Sequence, residues 1–511
     1  MTRALLKWAV VLLCLKLLIA VLFPVIGDEA YYFYWGLHPA GGYYDLPPMI
    51  GWWLIPFSKV SSSSFWLRLP NLISIGLIAF GIYEWLKEAM SKSRAAMIAG
   101  IFLFLPLPFV SVLMFPDIPL LLFSFYSALL FYRAAFSKTK ASGNIEFFLS
   151  GALWGAAFLS KYFALLMLPA FVLWYLFQKR KTWTHVISFA AGALPFLFQH
   201  LYWNRTHCWA NFVFNLVSRQ NANDGTVFQT FGLFLVYLVL ASTPYLWRPL
   251  FSRVQIDLEA GFETNARLKE LDRFFFFLWM VPVVIFGTTA ILGRGQGLHW
   301  LLFLTPYFAV TAGLRIPEMD LGEKLKKIMG LAAVVSGFVF FSILFPDFTV
   351  GSFFKNRLVF DYKLITHTDE FMTSILPDLE GVDMVFTESY SLSSVLDHEF
   401  RRYGKEHGKT LPEVSVWGGG SRFGRVFDWT MDWKKLEGKK IAIVTPGLIG
   451  NVYWSRYFKT TEAKNPRFLN QTFFVLVGRG FKAIDYERQE FKNAIRPFYP
   501  PFLPGVCSLK D

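Results

Sequence analysis

The sequence predicts a polytopic α-helical membrane protein with about 11 transmembrane helices and a small C-terminal extracytoplasmic α/β domain. Three observations predict it. Of 511 residues, 54% are hydrophobic and only 17% charged, with a mean hydropathy of +0.41. The apolar residues come in long runs, and the basic residues between those runs alternate in density from one to the next. A soluble domain of this length carries far more charge, so an ordinary soluble enzyme is excluded, as is a disordered or collagen-like chain.

A helix needs about 20 apolar residues to cross a bilayer. Eleven runs qualify as candidates: residues 5–26, 66–86, 95–114, 118–136, 146–160, 162–178, 184–203, 228–247, 274–292, 299–314 and 328–345. The first is too long for a signal peptide and has no small-residue cleavage site, so it reads as a retained anchor. The fifth and sixth are short and are parted only by Ser160-Lys161-Tyr162.

Short loops rich in Lys and Arg stay in the cytoplasm. With the N-terminus inside, the inner segments hold twenty basic residues and the outer short loops six: Lys59, Arg68, Lys161, Arg205, Arg219 and Arg294. The bias explains much of the net charge of +14 without nucleic acid. Three cysteines, Cys14, Cys208 and Cys507, are too few for a disulfide scaffold and lack zinc spacing.

An odd number of crossings leaves residues 346–511 outside, after a membrane module over 1–345. This tail changes character. Residues 382–386, 440–444 and 471–477 read as short buried strands, Gly418-Gly419-Gly420 and Pro446-Gly447 as turns, and 366–376 as a helix. No repeat with a fixed period is present.

Charges beside spans are costly, so their placement is informative. The first outer loop carries Asp28-Glu29-Ala30-Tyr31-Tyr32 and then Gly42-Tyr43-Tyr44-Asp45-Leu46-Pro47-Pro48. Its tyrosines and Trp35 suit an interface, and two juxtamembrane helices are expected within about 28–60. The next outer turn holds Pro116-Asp117-Ile118-Pro119, and the third holds Lys161. The fourth holds Trp203-Asn204, Trp209 and Arg219; the fifth holds Arg294, His299 and Trp300.

Read singly, each has an ordinary explanation. Asp28, Glu29 and Asp117 would start helices. Lys161 and Arg294 would snorkel to headgroups, and His299-Trp300 would anchor an interface. Arg219 would be a solvated loop charge. The aromatic excess, Phe274–Phe277 included, reads as lipid-facing bulk. Together, however, carboxylates and cations share one membrane face, which suits a lipid-borne polar group meeting an extracytoplasmic substrate.

The paired first-loop motifs, Asp28-Glu29-Ala30-Tyr31-Tyr32 and Gly42-Tyr43-Tyr44-Asp45-Leu46-Pro47-Pro48-Met49, resemble the signature of bacterial PMT-type glycosyltransferases of the GT-C superfamily. That group includes protein O-mannosyltransferases and the aminoarabinose transferase of lipid A. Further matches follow in family order: Pro116-Asp117-Ile118-Pro119, Leu159-Ser160-Lys161-Tyr162, Trp203-Asn204 with Trp209, His299-Trp300 with Pro306, and the segment around Phe427-Asp428-Trp429.

The resemblance implies an inverting transferase at the outer face of the inner membrane. Its donor would be a polyprenyl-phosphate-linked sugar, and its acceptor an envelope glycolipid, glycan or protein. It implies Asp28 as the catalytic acidic residue with Glu29 beside it, Asp45 and Asp117 as acceptor or metal positions, and Lys161 near the donor phosphate. Leu46 stands where some relatives carry a basic residue, which argues against the aminoarabinose transferase itself. The residues fit the chemistry. A hydroxyl attacking an anomeric carbon needs a base, which a carboxylate supplies. A departing polyprenyl phosphate needs cations, for which Lys161, Arg219, Arg294 and His299 are candidates. A divalent cation (Mg, Mn or Zn), held by Asp45 and His299, would be the one cofactor. A transporter would instead place charges at span midplanes and show repeats; Lys16 is the one clear mid-span charge. A non-catalytic assembly protein would tolerate loss of Asp28.

Overall fold

In the computed structural model the structure describes residues 3–178, 182–207, 209–218, 225–255, 262–345, 363–364, 366–417, 426–427, 431–446, 452–469 and 471–491. The chain is mostly helical, with a small sheet near the C-terminus. Each of the eleven apolar runs overlaps helix, although 23–26 and 111–114 lie outside it. Among the described residues, six helices are long and apolar enough to cross a membrane: α1 (Arg3–Leu22), α4 (Ser64–Leu86), α7 (Asp117–Ala135), α10 (Trp183–Thr206), α14 (Phe262–Ile291, over its stretch from Asn265) and α16 (Glu318–Leu344). A bent pair, α12 (Val227–Ser242) and α13 (Pro244–Leu250), makes a seventh if counted as one crossing.

Two runs are interrupted for readable reasons. Proline lacks an N–H and disfavours helix in the residue before it. Pro106 accordingly ends α5 (Lys92–Phe104) at Leu105 and starts the short α6 (Pro106–Val110). Pro244 likewise breaks α12 from α13, and Thr243 between them takes φ 60° at an 87° bend. The break at α6 also accounts for Lys16. Its ammonium donates to the Pro108 carbonyl at 2.7 Å and lies 5.6 Å from the Phe109 ring, so it joins α1 to α6.

The tightest helix pair is α10 with α8 (Lys140–Ser160). A methyl group on Gly192 would lie 2.0 Å from the Phe148 carbonyl oxygen, and one on Gly151 would lie 1.9 Å from that of Phe189. Backbone meets backbone at both points, as in small-residue seams of membrane helices. No flexible side chain is there to yield. Gly192→Ala is therefore expected to force the helices apart at about 1–3 kcal/mol, read as a lower melting temperature of the detergent-solubilised chain. An unchanged melt would mean the seam is not close-packed.

Phe274 and Phe275 are fully buried, not lipid-facing as their composition suggested. Phe274 packs on Trp174 and Phe131, and Phe131 stacks on Phe171 at 4.3 Å. Phe276 and Phe277 are only partly buried.

The C-terminal sheet has strand order β2-β1-β3-β6-β4, with β5 paired to β6. The strands are β1 (Met384–Thr387), β2 (Glu413–Val416), β3 (Ile441–Pro446), β4 (Thr460–Lys464), β5 (Arg467–Phe468) and β6 (Gln471–Arg479). β1 lies parallel to β2 and β3, whereas β6 runs antiparallel to β3 and β4. A helix α17 (Thr368–Ile375) precedes the sheet, and α18 (Tyr390–His407) makes the crossover from β1 to β2. The turns at 418–420 and 447 lie outside the described residues. The hydroxyl side chain of Ser389 caps α18 by accepting from the Leu392 N–H, and Gly408 ends it in a left-handed turn.

The crossover helix is also the docking element. It lies along α2 (Gly27–Leu37), the first helix after α1. His398 lies 2.8 Å through Nε2 from the Ser62 carbonyl oxygen and packs its ring edge on Phe33. Burial pushes the neighbouring Glu399 carboxyl up, but hydrogen bonds and charge from His398 and Arg402 outweigh it and hold the group down at about 2.

Candidate functional site

The site is built around two short helices of the first loop, α2 and α3 (Met49–Ser58). Pro24 follows the end of α1, and α2 starts at Gly27, so Asp28 and Glu29 fall in its first turn. Carboxylates are favoured there by the helix dipole. Adjacent positions on a helix point about 100° apart, so the two side chains diverge. Their environments differ accordingly.

Glu29 is fully buried. Arg68 on α4 grips it with two parallel bonds, Nε to Oε1 at 2.9 Å and Nη2 to Oε2 at 2.6 Å. The Met114 N–H adds a bond to Oε1 at 3.0 Å. The remaining guanidinium protons go to the Ala20, Phe23 and Pro24 carbonyls at 2.6–3.0 Å. All five donors of Arg68 are thus used, and they satisfy carbonyl groups left over at the end of α1. Arg68 was read on sequence only as an outer-loop charge. Glu29 reads structurally as the centre of this junction.

Asp28 is half-buried, and among the described residues its side chain has a single hydrogen-bond partner. The Tyr390 hydroxyl on α18 donates to its Oδ1 at 2.9 Å. Tyr390 could not be connected to the first loop by any sequence pattern.

Asp45 is buried. The Tyr31 hydroxyl lies 3.5 Å from its Oδ1, and the Asn215 amide donates to its backbone carbonyl at 2.9 Å. Asn211 donates to the Tyr43 carbonyl at 2.8 Å. Asn211 and Asn215 are four residues apart on helical turns, so both face the first loop; that spacing was the available signal. Gly42 lies against Trp203, where a methyl group would come within 2.4 Å of the indole. The Gln199 amide donates to the Gly41 carbonyl. The Trp203-Asn204 segment thus supports the first loop.

A second ion pair lies on the same side. Asp117, at the first turn of α7, is buried, and Lys161 just after α8 donates to both its oxygens at 2.9 and 3.0 Å. The ammonium lies 4.7 Å from the Phe163 ring and 5.8 Å from that of Trp300. The two pairs are connected through residues 114–117. Met114 bonds Glu29, Phe115 packs its ring 6.4 Å from Tyr32 and 6.0 Å from His299, and Asp117 follows.

His299 is exposed and Arg294 half-buried, on the segment between α14 and the turn at Leu298–Leu304. The structure therefore brings Asp28, Glu29, Asp45, Asp117, Lys161 and His299 into one connected face, with Arg294 on the segment that carries His299. Arg219 lies outside the described residues, as do Asp428 and Trp429. Among the described residues no three of His, Cys, Asp and Glu gather to hold a metal ion.

The arrangement offers a partly accessible carboxylate beside buried, paired charges and a rim of aromatic rings. Residues 45–203 match the family described as dolichyl-phosphate-mannose-protein mannosyltransferase. That stretch holds Asp45, Arg68, Asp117 and Lys161 and begins after Asp28. The chain is also 29% identical over 184 residues to the lipid A galacturonosyltransferase RgtD of Rhizobium johnstonii. The aligned part is 35% of this chain and 38% of that protein, so the chain spans under two fifths of the curated relative it matches. No solved structure matches the chain. The family match and the relative bear out the resemblance to PMT-type GT-C glycosyltransferases, and the long apolar helices make this a multi-pass membrane protein.

Proposed function

We propose that the chain is an inverting glycosyltransferase of the inner membrane. It moves a sugar from a polyprenyl-phosphate donor to an envelope glycolipid, of which a lipid A is the leading example, at the outer face. The observation that carries this reading is the contrast between neighbours: Glu29 is sealed into an ion pair while Asp28 stays half-buried with one hydrogen bond among the described residues. The name of the 29%-identical relative, a lipid A galacturonosyltransferase, supports the glycolipid acceptor.

In the reaction the acceptor hydroxyl attacks the anomeric carbon from the side opposite the phosphate. Asp28 takes its proton as the new C–O bond forms. The bond from the anomeric carbon to the phosphate oxygen breaks, and polyprenyl phosphate leaves with the electron pair. A single displacement inverts the centre. The leaving charge is met by Lys161, whose orientation Asp117 fixes, and Arg294, Arg219 and His299 are the further cationic candidates for it. Asp45, reached by the Tyr31 hydroxyl, is proposed as an acceptor position, where a divalent cation would add Lewis-acid help. The proposed topology has eleven crossings, a cytoplasmic N-terminus, and residues 346–511 outside.

The test is mass spectrometry of envelope glycolipids from a deletion strain complemented with wild-type or Asp28→Asn protein. A sugar-sized mass is expected to vanish on deletion and to return with wild type alone. Full restoration by Asp28→Asn would overturn the base assignment. An unchanged glycolipid profile would overturn the glycolipid acceptor. It would favour the second reading, a protein O-glycosyltransferase, which the description of the matched family supports.

A further inference from the structure

We infer that the C-terminal sheet domain is part of the active site, with Tyr390 as the positioning residue that orients the Asp28 carboxylate. The inference rests on the reading of Asp28 as the base. It adds a residue 362 positions away in sequence, on an element that the transferase chemistry alone does not call for.

Tyr390 is held where it is by its own domain. It is the first residue of α18, directly after β1 and the cap at Ser389. The turn is pinned on both sides. The Thr387 hydroxyl bonds the Ser389 carbonyl at 3.1 Å and lies 2.8 Å from the Ser393 hydroxyl, while Ser393 donates to the Ser415 carbonyl on β2 at 2.7 Å. The position of the phenol therefore follows from the strand order β2-β1.

The contact with the first loop is close and directional. The Tyr390 ring packs edge-on to Tyr31 at 5.0 Å, and its hydroxyl donates to Asp28 Oδ1. At Gly27, one residue earlier, a methyl group would lie 1.8 Å from the Ser391 hydroxyl oxygen and 2.9 Å from its Cβ. A side chain at 27 would lift α18 off the loop. Two turns along α18, His398 repeats the attachment at Ser62 and Phe33. Tyr31, one turn beyond Asp28 on α2, is met from the same domain, since its hydroxyl accepts from the Val426 N–H at 3.2 Å.

The chemistry follows from the bond. A hydroxyl donor to an ionised carboxylate is a charge-assisted bond, stronger and more directional than a neutral one. It fixes one oxygen and with it the carboxylate plane, so Oδ2 is left as the atom that receives the acceptor's proton. Loss of the bond frees the carboxylate to rotate. Base catalysis depends on that geometry before anything else. Tyr390 thus acts through Asp28 and is not itself required to touch substrate.

The test uses the purified full chain with lipid extract from the deletion strain, which holds both donor and unmodified acceptor. Initial rates are measured as the extract is titrated. Tyr390→Phe keeps the ring on Tyr31 and removes only the hydroxyl. It is expected to lower the maximal rate roughly 10- to 100-fold with half-saturation and melting temperature unchanged. In an Asp28→Asn background, the same change is expected to lower the residual rate no further, because the two act as one unit. A wild-type maximal rate in Tyr390→Phe overturns the inference. So does an effect confined to half-saturation, or a full additional loss in the double variant. If Asp28→Asn itself turns over like wild type, the underlying reading of Asp28 fails instead. If Tyr390→Phe melts early, the double-variant comparison still decides, since a merely structural loss would appear in both backgrounds.

Discussion

Replacing Arg68 with leucine is expected to be among the most damaging single changes in the chain. Glu29 would remain fully buried with only the Met114 N–H for its charge. Breaking one partner out of a buried pair costs about 3–5 kcal/mol, most of it the unpaired charge left behind. The Ala20, Phe23 and Pro24 carbonyls would also lose their donor. The melting temperature should fall steeply, and little protein should be recovered. Glu29→Leu/Arg68→Leu together should recover part of the loss, because no charge is then stranded. If Arg68→Leu alone melted like wild type, the junction would not be the structural centre that its geometry indicates.

Lys161→Met is expected to have a comparable effect, with a second component. Asp117 is buried and accepts a bond from Lys161 at each of its oxygens, so loss of the lysine strands a carboxylate at about 3–5 kcal/mol. The pair Asp117→Leu/Lys161→Met removes both charges and should restore a folded, extractable protein. If Lys161 meets the donor phosphate, that restored protein should still transfer no sugar. Recovery of both stability and transfer would make the pair purely architectural and would move the leaving-group role to Arg294 and His299. The comparison therefore separates folding from chemistry, which the single variant cannot.

Much of the membrane part was legible because hydropathy acts over a whole run of residues. Pro106 and Pro244 break two runs that hydropathy read as continuous, 95–114 and 228–247, while the apolar stretches 440–444 and 471–477 found the strands 441–446 and 471–479. The candidate face was legible because charges beside apolar runs are expensive and therefore conspicuous. What escaped was everything that depends on distant partners. Arg68 looked like a loop charge because nothing local ties it to Glu29. Lys16 is a mid-span charge as read, but its partner was not legible because the Pro108 carbonyl lies 92 residues away. Phe274 and Phe275 looked lipid-facing because a helix facing lipid and one facing Phe131 and Trp174 are equally apolar. Gly151 and Gly192 gave no signal singly, since a seam exists only when two helices meet. Tyr390 is the extreme case, being joined to Asp28 by a fold and not by a pattern.

The junction at Arg68 also sets an order of events during synthesis. The chain emerges from its N-terminus, so α1 and Glu29 are made before Arg68, and Met114 follows later still. Until residue 68 arrives, the end of α1 has lost its donors and the Glu29 carboxylate has no counter-ion. Both must meanwhile stay in water. The junction can thus close in its final form only once α4 and Met114 are in place.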